Sequence, residues 1–192
     1  MLNLTYTYRV RPSTTQIQLC EEWLETSRRV WNYALAERKD WFKSRSCLLD
    51  RCSLRSEYVI SADAKRPTFA SQCKGLTQAR KQSEFLANAN AQMLQQVLRR
   101  LEQAFVSRWE QKHGFPRFKQ QKRLRSLLFA QLGKAPVVGD VVKLPGIGKV
   151  RMRLSRPIPK GFEVKQAQVV KRACGWYVML SVCRAVELPG MG

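Results

Sequence analysis

One stretch of the sequence combines cations with aromatic rings in a pattern that could bind nucleic acid. Residues 114–125 read Gly-Phe-Pro-Arg-Phe-Lys-Gln-Gln-Lys-Arg-Leu-Arg, and their two rings are Phe115 and Phe118. Lysine and arginine pair with phosphates, while bases stack on aromatic rings, so a groove that follows a nucleic-acid backbone uses both. A charge run that only meets solvent would not need the rings. We predict nucleic-acid contacts from Arg117, Phe118, Lys119, Lys122, Arg123 and Arg125.

A second group of cations lies at alternate positions of a predicted strand. In residues 150–154, Val-Arg-Met-Arg-Leu, the apolar side chains point one way and the arginines the other. Together with the preceding lysine, this puts Lys149, Arg151 and Arg153 on one outer face. Three cations in a row predict a second surface for a polyanion.

The polar side of a predicted long helix is rich in amides where Glu and Lys would be expected. Its residues are Asn88, Gln92, Gln95, Gln96, Arg99 and Gln103. Asn and Gln can pair with adenine edges in a major groove. They are also ordinary helix residues, and for any single position that second interpretation stays open.

The balance of charge favours a nucleic-acid partner for the whole chain. Its 192 residues include 35 Lys+Arg and 14 Asp+Glu, which gives a net charge of +21. Residues 114–192 alone hold sixteen basic and three acidic residues. Such an excess repels itself unless a polyanion neutralises it, and a charge-balanced metabolic enzyme is therefore not the default expectation. Because 44% of the residues are hydrophobic, the chain should fold.

Residues for catalysis or metal binding are sparse. The six cysteines form no CxxC pair, and His113 is the single histidine. Reduced thiols are therefore favoured over a zinc site, and His113 is interpreted as a cation at a helix end rather than a general base. We predict no catalytic residue, no metal and no cofactor. The absence of a long apolar run or a secretory leader predicts a cytoplasmic protein without a membrane partner.

The first third of the sequence predicts one strand followed by one long helix. Residues 2–11 alternate between apolar and polar side chains, as in a half-buried strand. Ser13 and Gln16 then form the pattern of a capping box, and apolar residues recur at helical spacing to about residue 44. Residues 45–85 are harder to interpret, with amphipathic pieces such as Leu48–Ile60, and a short helix is predicted from Thr77, after Gly75.

A second long helix is predicted from about Leu86 to Lys112, and strands follow it. The predicted strands are Leu127–Leu132, Val137–Leu144 around a Gly139-Asp140 turn, Ile147–Leu154, Glu163–Arg172 and Trp176–Val186. Five short strands suggest a small antiparallel barrel, and the first strand of the chain should pair back into it. The predicted domains are a first barrel strand (1–12), a helical lobe with a helix-turn-helix-like start (13–113), a basic linker (114–126) and the rest of the barrel (127–192).

Several blocks of the sequence resemble the OrfB/TnpB family of insertion sequences. They include Tyr-Thr-Tyr-Arg-Val-Arg-Pro at 6–12, Trp-Leu-Glu-Thr-Ser-Arg-Arg-Val-Trp-Asn-Tyr-Ala-Leu at 23–35, and Gly-Phe-Pro-Arg-Phe-Lys at 114–119. Lys-Leu-Pro-Gly-Ile-Gly-Lys-Val at 143–150 and Gly-Trp-Tyr-Val at 175–178 match as well. The blocks keep the order and spacing of the N-terminal half of the family.

The resemblance implies a function as well as a fold. The family comprises transposon-encoded RNA-guided DNA nucleases, related to type V CRISPR effectors. It implies an α+β chain in which an oligonucleotide-binding-type barrel, the wedge domain, is interrupted by a helical recognition lobe with two long helices. Its expected partners are guide RNA and the double-stranded DNA beside the target. Thr77, Gln95 and Arg99 would then lie on the lobe near that DNA.

One departure from the family concerns cleavage. The family continues into a RuvC-like domain whose carboxylates hold two metal ions, and the four aspartates of this sequence do not match it. We therefore expect binding without cleavage. An alternative is a guide-holding subunit whose RuvC-like chain is encoded separately. A repressor-like role at uncut DNA and a decayed element without activity also remain open.

Overall fold

The computed structural model describes residues 2–46, 60, 61 and 63–184, and the account below concerns those residues. The helices are α1 (Thr14–Ser46), α2 (Phe69–Gln82), α3 (Glu84–Ala87) and α4 (Ala91–Glu110). The strands are β1 (Leu2–Arg11), β2 (Ser126–Phe129), β3 (Val137–Val138), β4 (Val141–Leu144), β5 (Gly148–Arg153), β6 (Glu163–Arg172) and β7 (Gly175–Arg184). The chain is therefore α+β, as predicted.

The seven strands form one antiparallel sheet in the order β2-β6-β7-β1-β5-β4-β3. The sheet curls into a half-barrel whose edge strands are β2 and β3. The expected pairing of β1 with the late strands is confirmed, because β1 lies between β7 and β5. The predicted turn at Gly139-Asp140 is confirmed, and it joins β3 and β4 as a hairpin. The segment Val137–Leu144, which was counted as one of five strands, is therefore two, and six strands follow the helices. The oligonucleotide-binding-type barrel remains a prediction.

The predicted capping box opens α1 and also ties this helix to the sheet. The Ser13 backbone N–H donates to Gln16 Oε1 at 3.0 Å, and the Gln16 N–H donates to Ser13 Oγ at 3.3 Å. Gln16 Nε2 donates to the backbone oxygens of Ile147 and Lys149. The helix then runs without a break to Ser46, so the described start of the lobe contains no turn between two helices.

Two helix predictions were wrong in their bounds. Helix α2 begins at Phe69, after the cap residue Thr68, so Gly75 and Thr77 lie in its middle rather than at its start. Asn90 caps α4 through its side chain, which accepts from the Met93 N–H, and α4 therefore begins at Ala91 rather than near residue 86. Of the predicted piece 48–60, residues 48–59 lie outside the described residues.

One apolar core joins the inner face of the sheet to the helices. The rings of Trp23 in α1 and Phe129 in β2 are 6.4 Å apart. Gly146, in the turn between β4 and β5, has a φ of +81°, and a Cβ added there would lie 2.5 Å from the Trp23 ring. Glycine is required here by both the backbone conformation and the approach of the indole.

A buried polar cluster holds α2 and α4 against α1. The Arg38 side chain is 1% exposed and pairs with Glu102 of α4 at 2.6 Å. Its Nε donates to Gln72 Oε1 at 2.9 Å, and Gln72 Nε2 donates to the Ala34 carbonyl oxygen at 2.9 Å. A buried guanidinium is tolerated because it is paired and hydrogen-bonded.

Candidate nucleic-acid interface

The basic segment, defined as residues 117–125, is held along α1 by its backbone. The Asn32 side-chain amide donates to the Lys119 carbonyl oxygen at 3.0 Å and accepts from the Lys119 N–H at 2.8 Å. Trp31 Nε1 donates to the Arg117 carbonyl oxygen at 3.1 Å. Because these contacts use backbone groups, the side chains of the segment are left to meet other partners.

The two rings of the predicted motif have different environments. Phe115 packs edge-to-face on Phe105 of α4, with centroids 5.3 Å apart, and is therefore half-buried against the core. Phe118 is 49% exposed, and Lys39 Nζ lies 4.5 Å from its centroid. Of the two rings, Phe118 is the one that a base could stack on.

A groove of about 470 Å³ opens where the basic segment turns back toward the sheet. Its cations are Arg28, Lys122, Arg125, Lys171 and Arg172, and its apolar floor is formed by Leu24, Leu124 and Ala173. Both acidic residues of the groove are paired, Glu21 with Lys171 and Glu25 with Arg28 at 2.6 Å. Hydrogen bonds from Arg28 and Arg29 lower the pKa of Glu25 to about 2. The remaining groove cations are Lys122, Arg125 and Arg172. None of them takes part in an ion pair among the described residues.

The outer face of the sheet carries six cations on three adjacent strands, here called the cation ladder. It consists of Arg9 and Arg11 on β1, Lys143 on β4, and Lys149, Arg151 and Arg153 on β5. The strand register places Arg9 opposite Arg153, Arg11 opposite Arg151, and Lys143 opposite Lys149. All six are exposed, and the described ion pairs include none of them. Like charges directly opposite each other destabilise a sheet, so this face favours a bound polyanion.

The β6–β7 turn connects the groove with the cation ladder. The Arg172 guanidinium lines the groove and lies 4.9 Å from the centroid of the Tyr177 ring. Tyr177 is the register partner of Arg9, the first residue of the ladder. Basic segment, groove and ladder are thus joined through named contacts rather than separated on the surface.

Cys174 lies at this connection. Its thiol is exposed and lies 3.2 Å from the Tyr177 hydroxyl, while Arg9 Nη2 donates to the Cys174 carbonyl oxygen at 3.1 Å. The hydrogen bond with Tyr177, followed by the nearby charges of Arg9 and Arg172, lowers the pKa of the thiol. The hydrogen bond with Tyr177 is thus the main cause of the lowered pKa, and the cations of the surrounding surface add to it.

The lobe residues predicted to contact DNA lie on α2 and α4, and none of them lines the groove or belongs to the ladder. Gln95 and Arg99 are exposed one turn apart on α4, and the Arg99 guanidinium lies 5.4 Å from the Phe69 ring of α2. Thr77 is exposed on α2, and its hydroxyl donates to the Cys73 carbonyl oxygen at 3.0 Å. Among the described residues no hydrogen bond or ion pair joins Thr77 to Gln95, and their role stays a prediction.

Sequence reasoning missed half of the cation ladder, namely Arg9, Arg11 and Lys143. Arg9 and Arg11 were visible as polar positions of an alternating strand, but their pairing with β5 follows from the register and not from the alternation. Within the described ranges, no group of three His, Cys, Asp or Glu side chains could hold a metal ion. None of the described helices is long and apolar enough to span a membrane.

Comparison with known proteins supports the resemblance seen in the sequence. Residues 1–47 match the helix-turn-helix domain of the OrfB family of IS605-type elements. In the structure the described part of this region is β1 followed by the single helix α1. The matched region supplies Arg9 and Arg11 of the ladder and Asn32, which holds the basic segment.

Two curated relatives extend the match beyond this region. InsQ of Escherichia coli strain K12, which carries the name of an RNA-guided DNA endonuclease, is 28% identical over 109 residues, or 56% of this chain and 26% of InsQ. A Streptomyces pristinaespiralis protein, also named as an RNA-guided DNA endonuclease, is 29% identical over 122 residues, or 62% of this chain and 30% of its own length. The matches thus span between a quarter and a third of these relatives. The resemblance to the N-terminal part of OrfB/TnpB proteins is confirmed.

Proposed function

We propose that this chain is a nucleic-acid-binding module of a TnpB-like, transposon-associated protein. In this proposal a guide RNA and the double-stranded DNA beside its target lie on one surface made of the basic segment, the groove and the cation ladder. The observation that carries the proposal is the contact chain from Arg172 through Tyr177 to Arg9, which makes three cationic patches continuous. A continuous cationic surface suits a polymer of phosphates better than separate patches do.

The contacts between the basic segment and α1 support the same proposal. The backbone of the segment is fixed by Asn32 and Trp31, so this backbone does not have to order on binding. Phe118 adds an exposed ring next to Lys39 and Lys119. Cations and a ring on a fixed backbone favour a strand whose phosphates and bases are both contacted.

Filter binding across a salt series tests the proposal. Labelled RNA and duplex DNA should bind with an affinity that falls steeply as salt rises, because each neutralised phosphate releases counterions. Arg125→Glu and Arg153→Glu should each weaken binding and flatten the dependence on salt. Lys160→Glu is the matched control, since Lys160 is an exposed lysine in the loop between β5 and β6, outside the proposed surface. A flat salt response, or equal losses in all three variants, contradicts the proposal.

We also propose that the module binds without cutting. With magnesium present, a labelled target duplex retained on the filter should stay intact. Cleavage by the purified chain would contradict this part of the proposal and leave the binding surface unaffected. Sequencing the nucleic acid that co-purifies with the chain tests the guide-RNA assignment separately.

A further inference from the structure

A second cleft lies between α1 and α2, and it shares no lining residue with the groove described above. It measures about 470 Å³ and extends to α3. Its walls are largely apolar and include Val30, Ala34, Leu76, Ala79, Leu86 and Leu98. The Arg38 cluster below it holds α2 in place, so the cleft is built into the packing of the helices.

Gly75 lines this cleft in the middle of α2. Glycine destabilises a helix interior relative to alanine, and a glycine there usually marks a tight contact. No such contact exists among the described residues, because a Cβ added at Gly75 would have nothing within 4 Å. The missing side chain therefore leaves space that the neighbouring described residues do not fill.

The rim of the cleft offers flat surfaces for stacking. Tyr33 is 77% exposed, which is unusual for a ring beside an apolar cleft. One turn earlier on α1, the Arg29 guanidinium lies 4.7 Å from the centroid of the Phe85 ring. Tyrosine rings and guanidinium planes are the groups on which unpaired bases stack.

The rim is a poor site for a phosphate, because it carries Glu37 as well as Arg29. The cleft is nevertheless adjacent to the proposed nucleic-acid surface. Glu25, which lines the groove, pairs both with Arg28 of the groove and with Arg29 of the cleft, so one ion-pair network joins the two openings. A strand whose backbone follows the basic segment would pass beside the mouth of the cleft.

We propose that this cleft takes one unstacked nucleobase from a single strand whose phosphates lie on the basic segment. The inference rests on the proposed function, since the strand must be held there first. Apolar walls surround the base, Tyr33 stacks on it, and the space beside Gly75 accepts its edge. A protein partner would use the apolar walls, but it would not account for the adjacent row of cations.

The test compares two oligonucleotides of equal length, one an ordinary single strand of mixed sequence and one made only of abasic sugar-phosphate units. The wild-type chain should bind the ordinary strand about tenfold more tightly, as expected when one base stacks on an aromatic side chain. Gly75→Leu, which fills the cleft, should reduce that difference to the part that stacking on Phe118 supplies, and should leave the affinity for the abasic strand unchanged. Gly75→Ala is the matched control and should keep the difference, because a methyl group leaves the cleft open.

The possible results separate the two proposals. If the wild-type chain bound neither oligonucleotide, the proposed function would be overturned. Equal binding of both strands by the wild-type chain, or an undiminished preference in Gly75→Leu, would overturn the base site alone and leave the cleft to a protein partner. Tyr33→Leu is an independent variant, because the Tyr33 side chain is exposed and can be replaced without disturbing the core. This substitution should reduce the preference for the ordinary strand. Melting curves of all variants check that the fold is retained.

Discussion

The side chain of Asn32 pairs with both backbone polar groups of Lys119, donating to its carbonyl oxygen and accepting from its N–H. A loop segment is thereby attached to α1 in the way that neighbouring strands are attached to each other. The residue that holds the segment is neutral and only partly exposed, while the segment itself carries five cations. Positioning and phosphate binding are thus assigned to different side chains.

Replacing Asn32 by alanine should loosen the basic segment. Two hydrogen bonds are lost, which together contribute about 1–2 kcal/mol, and affinity for single strands should fall several-fold. Amide hydrogen exchange at Lys119 should become faster. Asn32→Asp separates the two hydrogen bonds, because a carboxylate still accepts from the Lys119 N–H but places a second oxygen against the Lys119 carbonyl oxygen, so exchange at Lys119 should be faster there than in the wild-type chain as well. Unchanged exchange at Lys119 in Asn32→Ala would show that other contacts hold the segment.

Replacing Arg151 by serine should affect stability and binding in opposite directions. Arg151 lies opposite Arg11, and relief of this repulsion should raise the free energy of unfolding by about 0.2–1 kcal/mol. Affinity for nucleic acid should fall, and the slope of log affinity against log salt should decrease by about 1. Denaturant unfolding and filter binding measure the two effects. A loss of stability with unchanged affinity would mean that the ladder serves the fold alone.

The Cys174 thiol should react at lower pH than an ordinary cysteine. Its pKa is lowered by Tyr177, Arg9 and Arg172, and the thiolate is the reactive form. Its alkylation rate, followed by mass spectrometry against pH, should therefore reach half its maximum below the usual thiol range. Tyr177→Phe should move that midpoint upward. Cys20 is the internal control, since burial raises its pKa to about 11 and it should react slowly at neutral pH.

The same thiol reports on occupancy of the proposed surface. Bound RNA or DNA should slow the alkylation of Cys174, because the thiol lies between the groove and the cation ladder. The folded chain without nucleic acid gives the unprotected limit, because denaturation would also remove the contacts that lower the pKa of this thiol. Equal rates with and without saturating nucleic acid would place the ligand elsewhere.

Replacing Gly146 by alanine should destabilise the chain. The added Cβ would approach the Trp23 ring to 2.5 Å, and the φ of +81° is unfavourable for alanine, so a loss of about 2–4 kcal/mol is expected. Gly139→Ala is the matched control, because Gly139 has a φ of +58° but nothing within 4 Å of an added Cβ. It should cost about 1 kcal/mol. Similar melting temperatures for both variants would show that Trp23 moves without cost.

Strands and capped helices were predictable because their patterns are local. The predicted spans of β1 and β6 coincide with the observed ones, since alternation of apolar and polar residues directly reflects a sheet with one buried face. The start of α1 followed from Ser13 and Gln16. The start of α2 was predicted too late because Gly75 is typical of a helix boundary. The residues on either side of Gly75 keep this position helical.

The candidate site was predictable in its parts and not in its assembly. The basic segment and the cations of β5 follow from composition and from the period of a strand. The positions of Arg9, Arg11 and Lys143 opposite them depend on strand order, which connects residues far apart in the sequence. Phe115 and Phe118 could not be told apart either, because burial of one ring is decided by α4.

Because β1 lies in the middle of the sheet, the sheet cannot form until the later strands have been synthesised. During synthesis at about 5–20 residues per second, the first strand leaves the ribosome on the order of ten seconds before β5 and β7 exist. Its backbone N–H and C=O groups have no partner strands to hydrogen-bond with until then, whereas α1 can form its helix at once. The strand that carries Arg9 and Arg11 must therefore wait until β5 and β7 have been synthesised, and folding should be limited by this long-range closure rather than by the helices.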